Sequence, residues 1–377
     1  MVQSLAWHGG RALAWSLPRF LPRNDTIVFG SDRVDDPDAL VILDYLAEHS
    51  SRPLRWTART QPITQLLNPL TQATVVAARE GSFTSLITYG QSPIVFHTAG
   101  LYTSPEPARG RTVVTVWHGD GPKSTSPPRI RGTYMVTGVE YFGRRRIQVH
   151  GYPETNLLIT GRPRVDDLYR GIHDRESGSV DSQRDLEKLG LDGRPVIWWL
   201  PTWRQDSAGK PVALEAANID ALQLNPDLMA RYQFIVKPHP LAVQLQWPKG
   251  WRVLTDADLY RNQIRLYRML GLAHCVLTDY SSVWSDFLGT QIPVGFVLTD
   301  MKSFADARGF YDSDWHTKLP GPILQTQFEF IQFTEQGWTE ELAIRRREVS
   351  TEIGAINEFG ATKRLFEALD EKGVPWR

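Results

Sequence analysis

The stretch from Cys275 to Leu298, CVLTDYSSVWSDFLGTQIPVGFVL, most narrows what this chain can fold into. Cys275 to Thr278 is a short apolar run broken by Asp279 and Tyr280, and it reads as a buried strand. Trp284, Phe287 and Leu288 follow Ser281 and Ser282 at helical spacing, with Gly289 as the C-cap. A second apolar run, Pro293 to Leu298, is the next strand. The unit is strand, tight turn, short helix, strand. The first turn of a helix leaves backbone N–H groups without partners at the positive end of its dipole, and two serines add hydroxyl donors there. A phosphate or pyrophosphate suits that position. Asp286, four residues after Ser282, falls on the same helix face and is a candidate acceptor for ligand hydroxyls. The same residues also suit a plainer role, with Asp279 or Ser281 capping a core helix.

At 377 residues the chain exceeds one ordinary core, so two domains of similar size are expected, at 1–180 and 181–377. Its 42 basic and 42 acidic side chains cancel, which argues against nucleic acid held by bulk electrostatics. Cys275 is the single cysteine; internal disulfides and thiolate metal sites are excluded, and a reducing, cytoplasmic setting fits. No run of eighteen apolar residues is present, so no membrane-spanning helix is expected. The first residues interleave Trp7, Trp15, Phe20 and Leu21 with Arg11, Arg19 and Arg23. That mixture suits either transient contact with a membrane surface or a helix packed on the first domain.

Strand and helix patterns alternate along both halves, the mark of an α/β chain with largely parallel sheets. Expected strands in the first half are Thr26–Gly30, Leu54–Trp56, Ala73–Ala78, Ile94–Phe96 and Val113–Trp117, with a helix from Asp38 to His49. His173 to Arg194 is polar and charged, and the interdomain connection is expected before or within it. The alternation then resumes with strands Val196–Leu200, Phe234–Lys237 and Trp251–Leu254, a helix from about Leu259 to Leu270, and the opening stretch. The tail from Glu329 to Ala368 is mostly helical by pattern. Two such domains suggest doubly wound sheets facing each other, with ligands beyond the carboxyl ends of their strands.

The candidate polar residues fall at those strand ends. His118 precedes the turn Gly119-Asp120-Gly121-Pro122-Lys123; a histidine there can serve as general base, and Lys123 can meet a phosphate. His239 sits between two prolines that hold its backbone, with Lys237 expected on the same side. Gly161-Arg162-Pro163-Arg164 presents two arginines suited to bidentate phosphate contacts, or to pairing with Asp166 and Asp167. Arg204, after Pro201-Thr202-Trp203, has the same two readings. There is no G-x-S-x-G elbow, H-E-x-x-H or P-loop, and nothing places the carboxylate pairs at a metal. No tightly bound metal or cofactor is expected.

TVWHGDGPK, TGRPRVDDLY, WWLPTWR, VKPHP, LTDYSSVWSDFLGTQIPVGF and RGFYDSD…LPGP occur in this order. Together they resemble the CDP-glycerol glycerophosphotransferase family, the teichoic acid polymerases and primases. The resemblance covers Val113 to Pro322, and more loosely the first domain. It implies a GT-B fold, two Rossmann-like domains with the site in the cleft between them. The implied reaction moves a polyol phosphate, glycerol phosphate foremost, from a CDP-activated donor to a hydroxyl of a lipid-linked teichoic acid or capsule-type polymer. By resemblance His118 deprotonates the acceptor hydroxyl and His239 holds the donor pyrophosphate. Arg164, Pro201, Thr202, Ser281, Ser282 and Asp286 fall where the family binds CDP-glycerol. Where the family reads H-G-T-P-L-K, this chain has His118-Gly119-Asp120-Gly121-Pro122-Lys123. The implied place of work is the cytoplasm, at the inner face of the membrane; a homo-oligomer is compatible with it. A GT-B glycosyltransferase using a nucleotide sugar, and a non-catalytic nucleotide- or polyanion-binding homologue, remain alternatives.

Overall fold

The computed structural model describes residues 16–377 except 18, 103–106, 126–129, 206–210, 213–221, 243–246, 299 and 338. Most of the basic and aromatic N-terminal segment therefore lies outside the described residues. The chain forms two compact units. One comprises Met1–Gly119, Thr125–Asp166 and Phe359–Arg377; the other comprises Asp120–Ser124 and Asp167–Glu358.

The first unit is built on seven strands: β1 (Ile27–Ser31), β2 (Leu54–Ala58), β3 (Val75–Arg79), β4 (Ile94–His97), β5 (Thr112–Thr115), β6 (Tyr134–Thr137) and β7 (Leu157–Ile159). Their order is β3-β2-β1-β4-β5-β6-β7 and every pair is parallel. Strands covered on both faces are apolar throughout, and each residue of β1 and β4 is buried. At the β3 edge Val76 and Arg79 are exposed. β6 and β7 have no counterpart in the sequence reading. Four and three residues are too few to show a period of their own, and pairing such as Met135 with Leu157 makes them strands. The helix Pro37–His49 forms as expected, with Leu40, Val41, Leu43 and Leu46 turned inward. The last helix, Ala361–Glu371, also belongs to this unit. Asp166 accepts from the N–H groups of Gly360, Ala361 and Thr362 at its start. Phe366, fully buried, stacks on Tyr45 at 4.8 Å; truncating such a ring costs about 3–5 kcal/mol.

The second unit has a five-stranded parallel sheet: β8 (Val196–Leu200), β11 (Gln233–Val236), β12 (Arg252–Val253), β13 (Cys275–Thr278) and β14 (Val294–Phe296). The order is β12-β11-β8-β13-β14. A short antiparallel ribbon, β9 (Arg204–Gln205) with β10 (Pro211–Val212), follows β8. Sheet order reverses between β8 and β13, the switch point at which such sheets bind ligands. Much of the tryptophan content is core: Trp199 and Phe234 lie 5.5 and 5.2 Å from Trp251. Burial raises the Cys275 thiol pKa.

Three expectations change. The charged segment 173–194 is largely helical, within Val165–Ser177 and Val180–Lys188, and the units exchange ahead of it, as that expectation allows, at Asp166/Asp167 rather than at 180/181. The helix expected over 259–270 is two helices, Asp256–Arg261 and Leu266–Leu270, separated where Gln263 takes φ +58°. The helix after Ser282 is one turn, Val283–Asp286. A single turn sums few peptide dipoles, so the field expected there from the macrodipole is small.

Candidate active site

In the first unit the chain runs past the end of β5 through Val116 and Trp117 to His118. Trp117 adopts φ +67°, a left-handed conformation that costs a bulky residue on the order of 1–3 kcal/mol and persists only where its surroundings impose it. Those surroundings are three arginines. Arg162, fully buried, donates Nη1 to the Val116 carbonyl and Nη2 to the Trp117 carbonyl, the latter at 2.7 Å. Arg164 donates to the carbonyl of His118 at 2.8 Å, and Arg146 to that of Gly119 at 3.0 Å. Four consecutive carbonyls are thus held by guanidinium groups, each such charge-assisted bond contributing about 1.5–3 kcal/mol.

Buried Asp38 offsets part of this charge, accepting from Arg162 at 2.6 Å and from Arg164 at 3.4 Å. The alternative pairing of these arginines with Asp166 and Asp167 is not formed. Asp166 caps the last helix, and Asp167 pairs with Arg170 and Arg265. His118 itself is exposed, its ring stacked 4.4 Å from Trp117. The result is a solvent-facing imidazole on a backbone with little freedom.

Two other histidines here are structural. Burial pushes the His97 imidazole down to about 4, its Nδ1 accepting from the Gly100 N–H at 3.0 Å. His150 accepts from the N–H of Ile130. Asp36 caps the helix Pro37–His49 and accepts from the Thr98 hydroxyl at 2.7 Å. Burial and then neighbouring Asp38 raise its carboxyl pKa to about 6.

In the second unit the candidates gather at the switch point. Asp279 ends β13 and organises it. Its carboxylate accepts from the Thr202 N–H at 2.9 and 3.0 Å, from the Ser281 N–H at 3.2 Å and from Arg204 at 2.6 Å. The end of β8, Pro201-Thr202, is thereby tied to the Ser281–Ser282 turn. Both serines are half-buried. Thr202 is 9% exposed, and its hydroxyl has no hydrogen-bond partner among the described residues, which leaves it free to meet a water or a ligand. His239 is half-buried, its ring 5.6 Å from Trp203 and within 25° of parallel to it.

The segment after His118 is packed here as well. Ser285 donates to the Asp120 carbonyl at 2.7 Å, and a Cβ at Gly121 would lie 2.7 Å from that of Ser282. Lys123 is half-buried. Withdrawal from water lowers its ammonium pKa to about 8; Asp279 opposes the shift, while Arg308 and Arg204 add to it.

Three expected ligand residues have other occupations. Arg204 forms a fork on Asp300 at 2.7 and 2.8 Å besides its bond to Asp279, and these pairings outweigh desolvation to raise its pKa. Lys237 turns inward to Asp256 at 2.5 Å, rather than outward beside His239. Asp286 is fully buried and accepts from the Tyr267 hydroxyl at 2.6 Å, so the helix face that was to offer it to a ligand faces the core. The sequence reading missed Asp38, Arg146, Asp300 and Arg308. Only Arg308 carried a signal, as the first residue of RGFYD. Among the described residues no group of three or more His, Cys, Asp or Glu side chains is placed to hold a metal, and no helix is long and apolar enough to cross a membrane.

Comparison with known proteins adds sequence to geometry. The family described as CDP-glycerol:poly(glycerophosphate) glycerophosphotransferase matches residues 13–368. A teichoic acid glycerol-phosphate transferase of Staphylococcus aureus is 28% identical over 346 residues, 84% of this chain and 85% of that protein. A teichoic acid poly(glycerol phosphate) polymerase of Bacillus subtilis is 29% identical over 185 residues, 48% of this chain but 24% of that protein. The chain thus spans most of the first relative and about a quarter of the second. A structure of the wall teichoic acid polymerase TagF superposes with a TM-score of 0.72 at 19% identity, covering 98% of this chain and 96% of that one. That likeness gives the fold, two parallel α/β sheets of GT-B-like kind.

Proposed function

This chain belongs to the CDP-glycerol:poly(glycerophosphate) glycerophosphotransferase family, whose donor is CDP-glycerol, and from that premise we propose that it passes glycerol phosphate to a hydroxyl of a lipid-linked polyol-phosphate polymer and releases CMP. The observation that carries the reading is the Thr202 hydroxyl, buried without a partner beside the Ser281–Ser282 turn at the sheet's switch point. In the proposed reaction the acceptor hydroxyl attacks the phosphorus that bears glycerol. His118 takes its proton as the new P–O bond forms. The bond to the CMP oxygen breaks, CMP leaves with the electron pair, and His118 returns its proton to solvent. Ser281, Ser282, Thr202 and His239 hold the diphosphate. Gly119, Lys123, Arg164 and Pro201 complete the proposed substrate contacts, Arg164 also fixing the His118 carbonyl. Catalysis is then chiefly positioning and electrostatic stabilisation of departing charge. A soluble nucleotide donor and a lipid-linked acceptor place the work at the inner face of the cytoplasmic membrane, with transient surface contact.

The test is direct. Purified protein is offered CDP-glycerol, CDP-ribitol and UDP-sugars, and the released nucleotide and product mass are measured. CDP-glycerol should be consumed with CMP release. His118→Ala and His239→Ala should each slow this by roughly 10²–10⁴. Losses below tenfold would remove His118 from the role of base, and release of UDP would replace this reading with a glycosyltransferase.

A further inference from the structure

The motif beginning at Arg308 has no part in the reaction just described, yet it is fastened to the same turns. Ser124 donates its N–H to the Gly309 carbonyl at 3.2 Å and its hydroxyl to the Arg308 carbonyl at 3.1 Å. Tyr311 donates its N–H to Pro122, and Lys123 and Phe310 form an antiparallel bridge. Gly309 takes φ +74°, and a Cβ there would lie 2.8 Å from the Ser124 hydroxyl, so this approach requires glycine. From the other side an aromatic stack fixes the segment. Tyr280, next to Ser281, lies 4.2 Å from Phe304, which lies 5.6 Å from Phe310.

Arg308 is exposed, and its guanidinium carbon sits 5.8 Å from the centre of the Trp203 ring that also stacks on His239. Among the described residues neither Arg308 nor Lys123 has a carboxylate within ion-pair distance. Nearby, Arg204 is fully engaged by Asp279 and Asp300. Asp279 and Asp300 offset only part of the charge of Arg204, Lys123 and Arg308, three cations against two carboxylates, and the surplus attracts an anion.

We propose that Arg308 and Lys123 form an anion-binding pair that takes phosphate oxygens of a substrate beside the Thr202 and Ser281–Ser282 turns. The substrate's identity rests on the transfer reading above; the pair itself does not. The phosphate comes from the diphosphate of the donor or from the phosphodiesters of the acceptor chain. Arg308 touches no reacting bond in this scheme and acts by binding.

The experiment uses the full chain with R308Q and R308K, and calorimetric titration of CDP-glycerol and of inorganic pyrophosphate beside steady-state kinetics. Since Arg308 is exposed, both variants should fold as the wild type does. R308Q should weaken CDP-glycerol binding by roughly tenfold to a hundredfold, the range of one charge-assisted bond, with less loss at high salt and partial recovery in R308K. A raised KM for acceptor with unchanged CDP-glycerol affinity assigns the pair to the acceptor's phosphodiesters. Pyrophosphate binding that R308Q loses, in a protein that takes no CDP-glycerol, keeps the pair and overturns the donor reading. Wild-type affinities for both ligands and an unchanged acceptor KM in R308Q overturn the pair, as does a wild type that binds neither ligand.

Discussion

The carboxyl ends of the two sheets use arginine in opposite ways. In the first unit Arg146, Arg162 and Arg164 face inward, donating to four consecutive carbonyls around His118, with Asp38 beneath two of them. In the second unit Arg204 is internally paired, but Lys123 and Arg308 lack ion-pair partners among the described residues, and the Thr202 hydroxyl is unbonded. One sheet end uses its charge to fix a backbone; the other keeps donors open at its surface. A group that must act as a base profits from rigidity. A site that must take up an anion profits from donors not yet used.

If the first sheet end is a brace, removing its anion should be the most damaging change. Asp38→Ala leaves Arg162 buried without its counterion, at a cost of about 3–5 kcal/mol. Urea unfolding should show that loss, and whatever protein folds should turn over more slowly. A loss under 1 kcal/mol would break the contrast drawn here.

The same end holds a titrating carboxyl. The folded pKa of Asp36, about 6, lies above the ~3.9 of an unfolded aspartate. The folded state is therefore favoured most below about pH 4, and this contribution is lost as pH rises through 6. Asp36→Asn keeps a cap acceptor but cannot ionise. Its stability relative to wild type should improve by roughly 2–3 kcal/mol between pH 4 and pH 7.5, read as a change in the slope of unfolding free energy against pH.

On the second sheet end the expected effects are smaller. Gly121→Ala places a Cβ 2.7 Å from that of Ser282. The turn must shift, costing about 1–3 kcal/mol and weakening CMP binding in the same titration. Equal CMP affinity would mean that the turn does not shape the site. Thr202→Val is nearly isosteric and removes only the unbonded hydroxyl. Stability should hold or rise slightly, while CMP or CDP-glycerol affinity falls about two- to tenfold, the worth of one neutral hydrogen bond. Lost stability with unchanged affinity would make the hydroxyl structural, erasing the difference between the two ends.

Much of this was legible in the chain. The apolar runs TIVFG, VIWWL and CVLT are strands because a parallel sheet buried on both faces tolerates little else. Ser281, Ser282, Thr202 and His118 stand in turns beyond such strands, as expected, the positions from which polar residues can meet a ligand in sheets of this kind. The misplaced residues failed for one reason. Arg204, Lys237 and Asp286 are polar residues near strand ends whose partners, Asp300, Asp256 and Tyr267, lie in other elements of the chain. Whether a charge meets solvent or a buried partner is settled by packing, which local pattern does not record.

Alternation of apolar and polar segments alone determined the two parallel sheets, and the ordered motifs alone determined the family. Only the tertiary structure decided which cations are consumed inside the protein and which remain for a ligand. The physical reason is range. A strand or turn is selected by its neighbours along the chain. An ion pair is selected by whatever the fold brings within about 4 Å, and Asp38 and Arg162 are 124 residues apart.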